Sequence, residues 1–188
     1  MRGLSPARRR RLLMGALLVG VCLPSAAAQD SAALPEYVVK AGFLYNFAKY
    51  VEWPADAFDN AASPIVVGIV GNDPFGEEID KALKNKVVKE RAFSVVRYRE
   101  LADLKRCHIL FIPKSERGRL QDILKQTETW PILTVGEDEG FAKAGGTVNI
   151  LIEKEKPRLE VNPEAADKAR LTINSKLLKL ATIVRTSK

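Results

Sequence analysis

Two short, almost unbroken apolar runs constrain this chain more than any other feature: Ile65-Val66-Val67-Gly68-Ile69-Val70 and Cys107-His108-Ile109-Leu110-Phe111-Ile112. A strand with one wet face alternates apolar and polar residues. Runs of this kind need cover on both faces, which a parallel sheet between helices supplies. Further strands are expected near Arg91 to Tyr98 and over Ile132 to Val135, with helices between them: one capped by Asp73 and begun by Pro74, running to about Lys84, and one capped by Ser115, running through Gln126. Thr147 to Ile152 and Arg158 to Val161 read as a hairpin around Glu153–Pro157, and Asn162-Pro163 as a cap followed by a helix start. The last helices are expected over about 163–170 and 175–185. The fold class this predicts is α/β: a mainly parallel sheet flanked by helices, with an antiparallel hairpin at one edge.

Residues 1–28 are set apart. Arg2 and Arg8 to Arg11 precede the apolar run Leu12 to Leu23, and Ala26-x-Ala28 follows. That is the pattern of a cleaved secretory signal peptide, too short to span a bilayer, which needs roughly 20 apolar residues. The rest, 29–188, is expected to be a single domain in the periplasm, with no membrane insertion after cleavage. The whole chain has 30 basic and 23 acidic residues; five of the basic ones lie in 1–28, which holds no acid, leaving 25 against 23. A balance so near neutral implies no nucleic-acid partner. Cys107 is the one cysteine outside the signal segment, so no internal disulfide is expected.

Residues 37–54, YVVKAGFLYNFAKYVEWP, predict a helix stopped by Trp53-Pro54. Tyr37, Ala41, Leu44, Ala48 and Val51 share one face, while Phe43, Phe47 and Tyr50 form a second ridge roughly 80–140° away. Lys40 interrupts the apolar side. Such a helix is either sunk in the domain or packs one ridge on the sheet and presents its rings, with Trp53, to another chain or a ligand.

Little else suggests chemistry. Gly71-Asn72-Asp73-Pro74-Phe75-Gly76 follows a strand, where phosphate loops occur, but it lacks the P-loop and dinucleotide spacings and is explained as a capped turn. Gly145-Gly146 suits a tight turn or a close ligand approach. Glu137, Asp138 and Glu139 read as a solvated loop at the carboxyl edge of the sheet. His108 is the only histidine and reads as structural; beside Cys107 on a strand it points the other way. Nothing argues for a catalytic residue, a metal or a cofactor, so a non-enzyme is expected.

Taken in order, the 37–54 stretch, Gly71–Gly76, Cys107–Ile112 with Ser115-Glu116, Leu133-Thr134-Val135 with Gly140-Phe141-Ala142 and Gly145-Gly146, and Leu177 to Ala181 resemble the YfiR-like family of exported bacterial proteins. The resemblance implies a periplasmic, non-catalytic regulator. It would bind the periplasmic domain of an inner-membrane diguanylate cyclase, repress it, and so lower cyclic-di-GMP and biofilm formation. It also implies a homodimer. One departure stands out: relatives carry cysteine pairs, but near Gly68, where a partner for Cys107 is expected, there is none. On this reading the partner-binding residues are Phe43, Phe47, Tyr50, Trp53, Phe141 and Leu159. The alternative is a small-ligand sensor, or an accessory of a histidine kinase or outer-membrane uptake system, with possible ligand-binding residues Gly71, Asp73, Gly145 and Gly146.

Overall fold

The computed structural model describes residues 33–154 and 156–187. The expected signal segment, 1–28, lies outside the described residues. Helix α1 (Ala33–Tyr50) leads directly into a two-residue strand, β1 (Val51–Glu52). Then come β2 (Ile65–Val70), α2 (Glu78–Leu83), β3 (Val87–Val88), β4 (Arg91–Tyr98), β5 (Ile109–Ile112), α3 (Leu120–Thr127), β6 (Leu133–Gly136), β7 (Val148–Glu153), β8 (Lys156–Val161), α4 (Pro163–Lys168), β9 (Thr172–Ile173), α5 (Ser175–Leu178) and β10 (Thr182–Ile183).

Eight strands form one sheet in the order β10-β8-β7-β6-β5-β2-β4-β3. The run from β4 to β7 is parallel throughout; β7–β8 is the antiparallel hairpin, and β3 pairs antiparallel with β4. The expected fold class is therefore found. The apolar runs are covered on both sides, as their composition requires. Ile65, Val67 and Ile69 join α1, α2, α4 and α5 in one core, and Val70, Leu110 and Ile112 join Ile123 of α3 in the other. Burying so much aliphatic surface, at about 25 cal/mol per Å², is what holds a domain without an internal disulfide together.

Three elements differ from expectation. Asp73-Pro74 starts a turn rather than the helix, since Asp73 Oδ1 accepts the Phe75 N–H (2.7 Å) and α2 begins only at Glu78. Ser115 caps nothing: a 3-10 segment, Lys114–Arg119, comes before α3. The helix expected over 175–185 is only four residues long; the chain beyond extends as β10 beside β8, held where Val184 N–H donates to Val161 C=O (2.8 Å). Asn162 does cap α4, its side-chain oxygen accepting the Ala165 N–H.

Candidate functional site

In an open α/β sheet the ligand crevice lies at the carboxyl ends of the strands, where the strand order reverses. Here the chain runs from β2 outward to β4, then returns to β5 on the other side of β2. The reversal point lies between Gly71, after β2, and the segment after β5. That crevice is filled by the protein itself. A Cβ added at Gly71 (φ 74°) would collide with the carboxylate of Glu116, which is buried and bound to Arg119 (Nη2–Oε2 2.6 Å). Asp73, after its turn bond, pairs with Arg97 (2.6 Å).

The neighbouring loop is filled in the same way. The Phe141 ring lies against the backbone of Gly136 and Gly146, where no Cβ would fit, and Phe141 is 2 % exposed. Gly145 is a turn residue at φ 108°, with Leu124 the nearest side chain. Thus Gly71 and Gly146, expected as places for a ligand to approach the backbone, receive Glu116 and Phe141 instead.

Glu137 corrects the expected solvated loop. Its side chain is 1 % exposed and accepts from Lys40 (2.6 Å), from the Lys114 N–H (2.9 Å) and from the Tyr37 hydroxyl (3.3 Å). Lys40, the apparent interruption of the apolar face, is buried between Glu137 and Glu36. Burial, and then the Glu137 charge, push the Tyr37 hydroxyl pKa up. Polar residues alone gave no sign of this cluster, because Lys40 and Glu137 lie 97 positions apart. It fastens α1 across the edge where a ligand would enter.

At the other end of the sheet His108 is structural, as expected. Its Nδ1 accepts the Val66 N–H (2.9 Å) and its Nε2 lies 3.0 Å from the Ala57 carbonyl. Phe58 stacks on it at 4.2 Å, Trp53 meets it edge-on, and the Trp53 indole N–H donates to the His108 carbonyl (3.1 Å). Desolvation lowers the His108 pKa. Cys107 lies apart, beneath Gly68 and Tyr98, where burial pushes its thiol up to about 12 and leaves it inert. Among the described residues no group of three or more His, Cys, Asp or Glu side chains gathers to hold a metal.

The expected partner surface divides. Phe47, Phe141 and Leu159 are core residues and offer nothing to a partner in this conformation. The reason for Phe47 is its angular place: it falls beside Lys40, on the side turned to the sheet. Phe43, Tyr50 and Trp53 are half-buried. The outward side of α1 carries two apolar residues that the ring ridge did not include, Val38 (47 % exposed) and Val39 (43 %). Val39, Phe43 and Tyr50 lie along one stripe of the helix.

The family model described as YfiR/HmsC-like matches residues 37–182. No curated protein matches the chain. Two solved structures are similar: a conserved domain protein from Vibrio cholerae O1 biovar eltor (12 % identity, 63 % of this chain and 54 % of that one, TM-score 0.48), and the ABC domain in complex with L-Trp from Streptococcus pneumonia (10 % identity, 63 % and 55 %, TM-score 0.46). This chain spans about half the length of each. Among the described residues no helix is long and apolar enough to cross a membrane.

Proposed function

This chain belongs to the YfiR/HmsC-like family, and from that premise we propose that it is a non-catalytic periplasmic regulator that binds the periplasmic domain of an inner-membrane diguanylate cyclase and holds the enzyme off. A binder that prefers the inactive receptor shifts the receptor population toward that state. Lower cyclic-di-GMP and less biofilm would follow.

The observation that carries this reading is the division of labour on α1. One side is tied to the sheet by Lys40–Glu137 and closes the ligand edge; the other leaves Val38 and Val39 in solvent beside half-buried Phe43 and Tyr50. Apolar and aromatic surface on a rigid helix suits a protein contact. The small-ligand alternative loses Gly71 and Gly146, which Glu116 and Phe141 cover, and keeps Gly145, which lines an open cavity of about 500 Å³. The regulator is proposed to act as a homodimer, which sedimentation checks.

The test is binding of the exported chain to the periplasmic domain of a membrane diguanylate cyclase from the same genome. Val38→Glu and Val39→Glu change exposed side chains, so each variant is expected to keep the wild-type circular dichroism. The expected result is binding by the wild type and at least tenfold weaker binding by Val39→Glu. No binding by the wild type, or undiminished binding by both variants, overturns the proposal.

A further inference from the structure

β4 is the second strand from one rim of the sheet, but its cover is incomplete. β2 pairs with it from Phe93 to Tyr98, whereas β3 reaches only Arg91 and Ala92. The Tyr98 carbonyl accepts the Gly71 N–H (2.8 Å), so the backbone groups of Tyr98 face the sheet. Alternation along the strand then turns the N–H and C=O of Phe93, Val95 and Arg97 outward, where no strand meets them. Proteins usually blunt such an edge or cover it. Here it borders an open groove of about 920 Å³, lined among others by Leu83, Lys84, Lys86, Val87, Phe93 and Val95. Val87 is 55 % exposed, and Phe93 and Val95 are half-buried.

Charge selects the occupant. The acids lining the groove are already matched, Asp80 by Arg97 (2.6 Å) and Glu77 by Lys81 (3.5 Å). Among the described residues Lys84 and Lys86 have no carboxylate within ion-pair reach, and the Lys86 ammonium lies only near the Tyr45 ring (5.6 Å). In most registers a second copy of β4 is a poor occupant. An antiparallel self-pairing centred on Phe93 sets Lys89 against Arg97, one centred on Val95 sets Arg91 against Arg99, and one centred on Arg97 sets that residue against itself. Like charges directly opposite destabilise a strand pair.

We propose that the Phe93–Arg97 edge is a strand-addition site for an extended partner segment that alternates apolar and acidic side chains. Main-chain bonds to Phe93, Val95 and Arg97 hold the segment; its acids turn to the α2 side of the sheet, where Lys84 and Lys86 lie, and its apolar residues to the opposite face, beside Val87 and Val96. This goes beyond the regulator reading and holds whether or not the partner is a cyclase.

The test uses two synthetic eight-residue peptides, one alternating valine and glutamate, the other valine and lysine, titrated onto the isotope-labelled exported chain. The glutamate peptide is expected to bind and to slow amide hydrogen exchange at Phe93, Val95 and Arg97 at least tenfold, while the lysine peptide does neither. The Lys84→Glu, Lys86→Glu double variant, altered only at exposed positions, is expected to reverse the preference. Absence of binding, binding without protection of those amides, or equal binding of both peptides overturns the proposal. So does protection of the same amides without peptide in a sedimenting dimer, which would make the edge a self-contact.

Discussion

The Lys40 ammonium lies 2.6 Å from the Glu137 carboxylate, and both side chains are buried. Such a pair is not strong evidence for stability, because desolvating two ions offsets most of their attraction. Breaking it from one side is another matter. Lys40→Met leaves Glu137 charged and buried, and a loss of about 3–5 kcal/mol in urea unfolding is expected. The double variant Lys40→Met, Glu137→Gln should recover much of that loss, since neither uncompensated charge remains. Equal losses in single and double variants would show that the pair itself holds α1 to the sheet.

Phe141 and Gly146 form a second coupled pair. A methyl at Gly146 would strike the Phe141 ring, so Gly146→Ala is expected to destabilise by about 1–3 kcal/mol, as overpacking does. Phe141→Ala removes a buried ring and is expected to cost about 3–5 kcal/mol. In the double variant the new methyl enters the space the ring has left. The two effects should therefore fall short of additive by at least about 0.5 kcal/mol in a double-mutant cycle. A charged residue at 141 is expected to unfold the domain rather than to act at a receptor.

Much of this fold was legible in the sequence because its signals are local. The run Ile65–Val70 is β2 to the residue, and Arg91–Tyr98 is β4. Asn162-Pro163 is a cap whose geometry needs only three neighbours. What failed to show was long-range. A lysine on an apolar helix face looks like a defect until Glu137 is placed beneath it. Phe47 and Phe43 differ by one helical turn, yet only the packing angle of α1 decides that Phe47 is core. Phe141 reads from sequence as a partner contact because nothing local shows that its ring packs on the backbone of Gly136 and Gly146. The open edge of β4 was invisible for the same reason: strand length can be read from sequence, but not how far a neighbour extends.

Gly68 occupies the place where a cysteine partner for Cys107 was expected, and the geometry fits one. A Cβ there would lie 2.9 Å from Cys107 Sγ, close to the separation a disulfide requires, with the Tyr98 ring (2.8 Å) obliged to move slightly. Gly68→Cys is expected to oxidise to a bridge and, closing a loop of roughly 40 residues, to stabilise by about 4 kcal/mol less whatever strain Tyr98 imposes. Mass spectrometry of the cysteine peptides and the melting temperature with and without reductant check this. A variant that keeps two free thiols under air, or gains no stability over its reduced form, contradicts the geometry.

His108 gives a pH dependence whose sign follows from its bonds. In the folded protein the ring is neutral: Nδ1 accepts the Val66 N–H, and the Nε2 proton goes to the Ala57 carbonyl. Desolvation, the larger effect, lowers the folded pKa below the ordinary 6.5, at which the unfolded chain titrates. Between the two values the unfolded chain binds more protons. The contribution of His108 is therefore complete above the unfolded value, declines as pH falls through it, and levels off below the folded one. Urea midpoints measured from pH 7.5 downward should decline for the wild type, and the decline should be shallower in His108→Gln, which lacks the titrating ring. The imidazole titration followed by NMR decides the matter directly: a folded midpoint above the ordinary histidine value would mean that the ring is stabilised as a cation, and the predicted slope would reverse.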